Sequence, residues 1–142
     1  MKRNVVWPAV FVAMVAGWSC GRPAPPPDPN NQLPFGVIDS PQSDKVVGRE
    51  VEVSGWALDD TGVSEVRIYV DARYKMSAKL KIKRPDVTKV YPQYPVPDDM
   101  HGWWEVVDLG ETAGTHQILA QAIDANGSTR DIGSVTVELI AR

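Results

Sequence analysis

From Phe35 onward this chain runs in short stretches where apolar and polar side chains alternate, each closed by a turn signal. No helical periodicity is sustained anywhere in this region. Alternation sends successive side chains to opposite faces of an extended strand, so each stretch can bury one face and wet the other. Seven strands are predicted on this basis: Phe35–Asp39, Glu50–Leu58, Val63–Val70, Tyr74–Lys83, Trp103–Leu109, Thr115–Asp124 and Ser128–Ile140. Val51, Val53 and Ala57 share one face of the second, and Val66, Ile68 and Val70 one face of the third. Asp59-Asp60-Thr61-Gly62 and Ala125-Asn126-Gly127 are the turns, the latter expected as a type I′ hairpin. Residues 84–101, with prolines at 85, 92, 95 and 97, are expected as a long loop. Short strands at this spacing argue for an all-β, antiparallel sandwich.

The N-terminal region follows another logic. Lys2 and Arg3 precede an apolar stretch, Val5 to Gly17, broken only by Pro8 and ended by Ser19-Cys20. A basic start, an apolar run short for a bilayer and a small residue at its end make a secretory signal, predicted over residues 1–19. Cys20 is the only cysteine, so it has no disulfide partner within the chain. Gly17-Trp18-Ser19-Cys20 resembles a bacterial lipobox, with Gly17 and Trp18 where the usual pattern has Leu and a small residue. The expectation is cleavage before Cys20 and lipidation of that residue, which would tie the chain to a membrane. An ordinary cleaved signal with a free thiol and an uncleaved anchor are the two other readings. Gly21 differs from the Asp that usually marks inner-membrane retention, so a host with two membranes would carry the chain on the outer one. Residues 20–34, the lipidated cysteine and a proline-rich segment, are read as a tether favouring extended polyproline II geometry. The folded domain is then residues 35–142.

The net charge is −3, and loss of residues 1–19 with Lys2 and Arg3 leaves −5. Nothing in that balance suggests a nucleic-acid protein. No zinc spacing, nucleophile elbow or glycine-rich phosphate loop is present, so no cofactor, metal or enzymatic activity is expected.

A set of distinctive blocks follows in order along the chain, with no internal repeat: Ile38-Asp39-Ser40-Pro41, Val53-Ser54-Gly55-Trp56-Ala57-Leu58-Asp59-Asp60-Thr61-Gly62-Val63 and Val66-Arg67-Ile68-Tyr69-Val70-Asp71. Arg84-Pro85-Asp86-Val87, Tyr91-Pro92-Gln93-Tyr94-Pro95, Gly114-Thr115-His116 and Ala122-Ile123-Asp124-Ala125-Asn126-Gly127 follow. Together they resemble a bacterial immunoglobulin-like domain over about residues 35–141. The resemblance implies an Ig-like or fibronectin III-like β-sandwich, a domain often appended to secreted or surface proteins such as glycoside hydrolases and cell-wall amidases. It marks Trp56, Asp59, Arg84, Asp86, His116 and Asp124 as structural positions. Ala72 stands where the pattern has Gly, and no catalytic domain accompanies the module.

Candidate ligand-binding residues fall in two groups. Arg73, Lys75, Lys79, Lys81 and Lys83 are all odd-numbered within one predicted strand, which would gather them on one face opposite Met76, Ala78, Leu80 and Ile82. Such a stripe fits an anionic polymer: lipopolysaccharide phosphate, teichoic acid, acidic polysaccharide or lipid headgroups. It equally fits an exposed edge strand whose lysines discourage pairing with another chain. Tyr91, Tyr94 and one of Trp103 and Trp104, expected to be Trp104, offer rings for stacking on sugars. The other reading has Tyr91 and Tyr94 packing down to seal the sandwich. Asp59, Asp60, Asp98, Asp99, Asp124 and Asp131 suit calcium or, more simply, turns. The function expected is a non-catalytic envelope lipoprotein that binds polysaccharide, with docking of an envelope protein on an edge strand, or a passive spacer, as alternatives.

Overall fold

The computed structural model describes residues 29–94 and 96–140. The predicted signal peptide, Cys20 and the first part of the predicted tether lie outside the described residues. Among the described residues, nine strands form two sheets. The four-stranded sheet holds β1 (Phe35–Ser40), β3 (Glu50–Leu58), β7 (Gly102–Asp108) and β6 (Lys79–Ile82), in that order. The five-stranded sheet runs β2 (Lys45–Val47), β9 (Thr129–Leu139), β8 (Gly114–Asp124), β4 (Val63–Val70) and β5 (Arg73–Ser77). Every pairing is antiparallel except β2 with β9. The architecture is the expected antiparallel sandwich.

The core lies between the sheets, and the alternating residues build it. Val51, Val53, Ala57, Trp103 and Val107 come from the four-stranded sheet and Val66, Ile68, Val70, Ile118, Ala120, Ala122 and Val137 from the other. Trp103 is 1% exposed and can sit so deep because Gly55 faces it. A β-carbon at Gly55 would stand 2.7 Å from the Trp103 ring.

Three local expectations need correction. The predicted strand Tyr74–Lys83 is two strands in different sheets: the Ala78 amide still donates to Val66 of β4, and Lys79 then pairs with Trp104 of β7. Residues 84–101 are not a plain loop. Pro85–Val90 form helix α1, with Pro85 opening it and Asp86 in its first turn, and Pro97–Asp99 form a 3-10 turn. The β8–β9 turn is not type I′, because Gly127 (φ 86°) is left-handed while Asn126 is not. β2 was not foreseen at all.

Candidate functional site

The split of the basic segment redistributes its charges. Lys75 lies on β5, at one edge of the five-stranded sheet, and Lys79 and Lys81 lie on β6, at one edge of the four-stranded sheet. All these lysines and Lys83 are exposed. Lys81 has φ 66°, and the β6–β7 register slips between Leu80 and Ile82. This bulge breaks the alternation that would have kept Lys79, Lys81 and Lys83 on one face. Lys75 is attracted to Asp71 and Asp108. The Lys79 ammonium stands 3.5 Å from Glu105 and 4.5 Å from the centre of the Trp104 ring. Among the described residues, Lys81 and Lys83 make no ion pair.

The aromatic residues divide by position. Trp103 points into the core, so Trp104 points outward, where it is half-buried beneath Lys79. Tyr91 and Tyr94 lie elsewhere, over Phe35 and Trp56. Tyr91 meets Phe35 at 5.4 Å edge-on and Trp56 at 5.4 Å tilted, and Tyr94 meets Phe35 edge-on at 5.4 Å. The Tyr94 hydroxyl donates to Gln32 at 3.1 Å. These rings seal apolar surface that the outer face of β1 and β3 would otherwise expose, at distances typical of favourable aromatic pairs.

Arg84 fastens this cover. It reaches both oxygens of Asp86, at 2.9 and 2.7 Å, and extends its other terminal nitrogen to Asp39 of β1 at 2.6 Å. Hydrogen bonds from Arg84 hold the Asp86 carboxyl down at about 2, while Asp86 and then Asp39 hold the Arg84 guanidinium charged. Gly102 gives Arg84 its place, since a β-carbon there would lie 2.9 Å from the Arg84 stem.

The remaining carboxylates are turn-builders. One Asp124 oxygen accepts from the amides of Asn126 and Ser128, both at 2.8 Å, and the other accepts from the Asn31 side chain at 2.6 Å. Burial would raise the Asp124 carboxyl, but Asn31 and the turn amides outweigh it and hold it below its ordinary range. Asn31 also takes a hydrogen bond from Asn126 at 2.7 Å, so the end of the proline-rich segment is stitched onto the β8–β9 turn. Asp59 accepts from the Thr61 amide at 2.8 Å and the Thr61 hydroxyl at 2.6 Å. Among the described residues no three His, Cys, Asp or Glu side chains gather as metal ligands. His116 lies at the start of β8 with Nδ1 2.7 Å from Asp71 and Nε2 2.7 Å from the Thr112 carbonyl. Asn31 and Phe35 escaped the sequence reading, because their partners are far away along the chain.

The profile of the bacterial Ig domain family matches residues 34–120. The chain belongs to the bacterial Ig domain family. The match stops before the end of β8, and β9 completes the five-stranded sheet of this Ig domain beyond it. Among solved structures, it is similar to the fibronectin(III)-like modules of Clostridium thermocellum CbhA, at 15% identity and TM-score 0.52, covering 74% of this chain and 94% of that one. A Yersinia enterocolitica family 28 exopolygalacturonase matches at 16% identity and TM-score 0.42, over 78% of this Ig domain and 21% of that chain. No curated protein matches. The family is of a typically non-catalytic kind, and the first of these structures supports the sandwich fold.

Proposed function

We propose that this Ig domain is a non-catalytic binding module of the cell envelope, tethered through a lipid on Cys20, whose β6 edge takes an anionic polysaccharide. The observation that carries the reading is the pair Lys81 and Lys83. They are exposed and without ion-pair partners among the described residues, on the edge that also presents Lys79 over Trp104. Unpaired ammonium groups on one short edge attract an anionic strand, while the half-buried Trp104 indole on adjoining β7, beneath Lys79, adds apolar ring surface for a sugar. Tyr91 and Tyr94 have no part in this surface, being spent on Phe35 and Trp56. Docking of a partner strand on β6 is the weaker reading. A four-residue edge with lysines and a bulge at Lys81 carries three devices that discourage strand addition.

The test is retention of the full chain on lipopolysaccharide, capsular polysaccharide and peptidoglycan at low and high salt. A Lys81→Glu, Lys83→Glu variant is run beside it. Neither lysine has a partner to lose, so the fold should be unaffected. Binding abolished by both salt and the double change supports the proposal; binding to none of the three polymers refutes it.

A further inference from the structure

At one end of the sandwich, where the β3–β4 turn, β6 and the 3-10 turn converge, lies a cavity of about 180 Å³. Its lining includes Asp59, Lys81, His101 and Trp103 alongside apolar Leu58, Leu80 and Met100. Asp59 is 9% exposed, His101 4% and Trp103 1%. Asp59 Oδ1, both imidazole nitrogens of His101 and the Trp103 indole nitrogen are buried and have no hydrogen-bond partner. Native interiors leave few such groups unpaired, and here they come from three residues lining one cavity.

The chemistry of the four atoms limits what can satisfy them. A carboxylate oxygen only accepts and an indole N–H only donates. Burial lowers the affinity of His101 for a proton, with Asp99 partly opposing, so its imidazole is neutral and offers one donor and one acceptor. An occupant must therefore both donate and accept. Asp59 and Lys81 set opposite charges on the wall: a cation would be opposed by Lys81 and leave the indole N–H unmet, and an anion would be repelled by Asp59. A hydroxyl group does both. The volume is slightly above the ~150 Å³ of a cavity that holds a single benzene ring, and the apolar side chains suit the C–H face of a ring better than a cluster of water.

We propose that this cavity is a binding site for one uncharged, hydroxylated six-membered ring, that is, a single neutral sugar residue. Asp59 and the acceptor nitrogen of His101 take its hydroxyl protons, and Trp103 and the other His101 nitrogen donate to its oxygens. Met100, unbranched and adaptable, is the part of the wall that yields on entry. The cavity adjoins the lysine edge, since Lys81 lines it, but the proposal rests on Asp59, His101 and Trp103 and does not depend on that reading.

The experiment uses the ¹⁵N-labelled full chain, with the indole N–H signal of Trp103 assigned through Trp103→Phe. Methyl glycosides of glucose, galactose, N-acetylglucosamine and rhamnose are titrated in turn. At least one should shift the Trp103 indole signal saturably, with unchanged affinity at high salt and in Lys83→Glu. His101→Phe, which removes two unpaired buried nitrogens and should fold at least as stably, should weaken that binding about tenfold. Absence of a saturable shift with all four glycosides overturns the proposal and leaves the cavity to water. A shift that His101→Phe leaves untouched overturns it as well.

Discussion

His116 is held between two acceptors: Asp71 Oδ2 at 2.7 Å from Nδ1 and the Thr112 carbonyl at 2.7 Å from Nε2. An imidazole can satisfy both only as the protonated cation. The Thr112 carbonyl and then Asp71 accordingly raise its proton affinity above the ordinary 6.5. A raised folded-state pKa gives stability that is fully present below about pH 6.5 and lost as pH rises through the folded value. Thermal melting should therefore weaken from pH 6 towards pH 9. His116→Ala should cost about 2 kcal/mol at pH 6 and flatten this dependence. His101, whose affinity is lowered, works in the opposite sense at acid pH, so the His116→Ala difference curve is the informative one. An unchanged pH profile in the variant would contradict this account of His116.

Arg84 joins α1 to β1 through Asp86 and Asp39. Arg84→Ala should destabilise by about 1–2 kcal/mol and diminish the near-ultraviolet circular dichroism of the Tyr91–Trp56 cluster, while the β-sheet signal persists. Arg84→Lys should not restore it, because an ammonium cannot make the two-pronged contact with Asp86. The depressed Asp86 carboxyl adds an acid limb: its contribution is present above about pH 4 and fades as pH falls towards about 2.

Asn31 hydrogen-bonds to buried Asp124 from the end of the proline-rich segment. Asn31→Ala leaves one Asp124 oxygen short of a partner and should cost about 1–2 kcal/mol in urea unfolding. Asp124→Ala removes the acceptor of two turn amides and should cost more. Equal stability of Asn31→Ala and the parent would show that this docking contributes nothing.

Tyr91 and Trp104 have separable duties. Tyr91→Ala should lower stability by about 2 kcal/mol, less than a fully buried ring would cost, and leave polymer retention per folded molecule unchanged. Trp104→Ala should do the reverse, losing retention with a smaller change in melting.

Much of the sandwich is visible in the alternation of Val51, Val53 and Ala57 and of Val66, Ile68 and Val70, because burial of one face imposes a period of two. The same period hides what happens at Ala78. A strand that changes sheets keeps its inward and outward alternation, so the pattern cannot reveal which partner it pairs with. β2 is three residues long and α1 six, too short for either periodicity to register. The turn carboxylates Asp59 and Asp124 are legible from local chemistry. The Phe35–Tyr91 contact, the Asn31–Asp124 bond and the gathering of Asp59, His101 and Trp103 are not, since each joins residues distant in sequence and depends on the finished topology.

The most direct measurement is retention of the full chain on immobilised acidic polysaccharide at about 0.05 and 0.5 M salt, where screening lengths differ roughly threefold. The proposed lysine edge predicts retention at low salt, loss at high salt, and loss in Lys81→Glu, Lys83→Glu at unchanged melting temperature. Retention that persists in that variant, or that ignores salt, would contradict it.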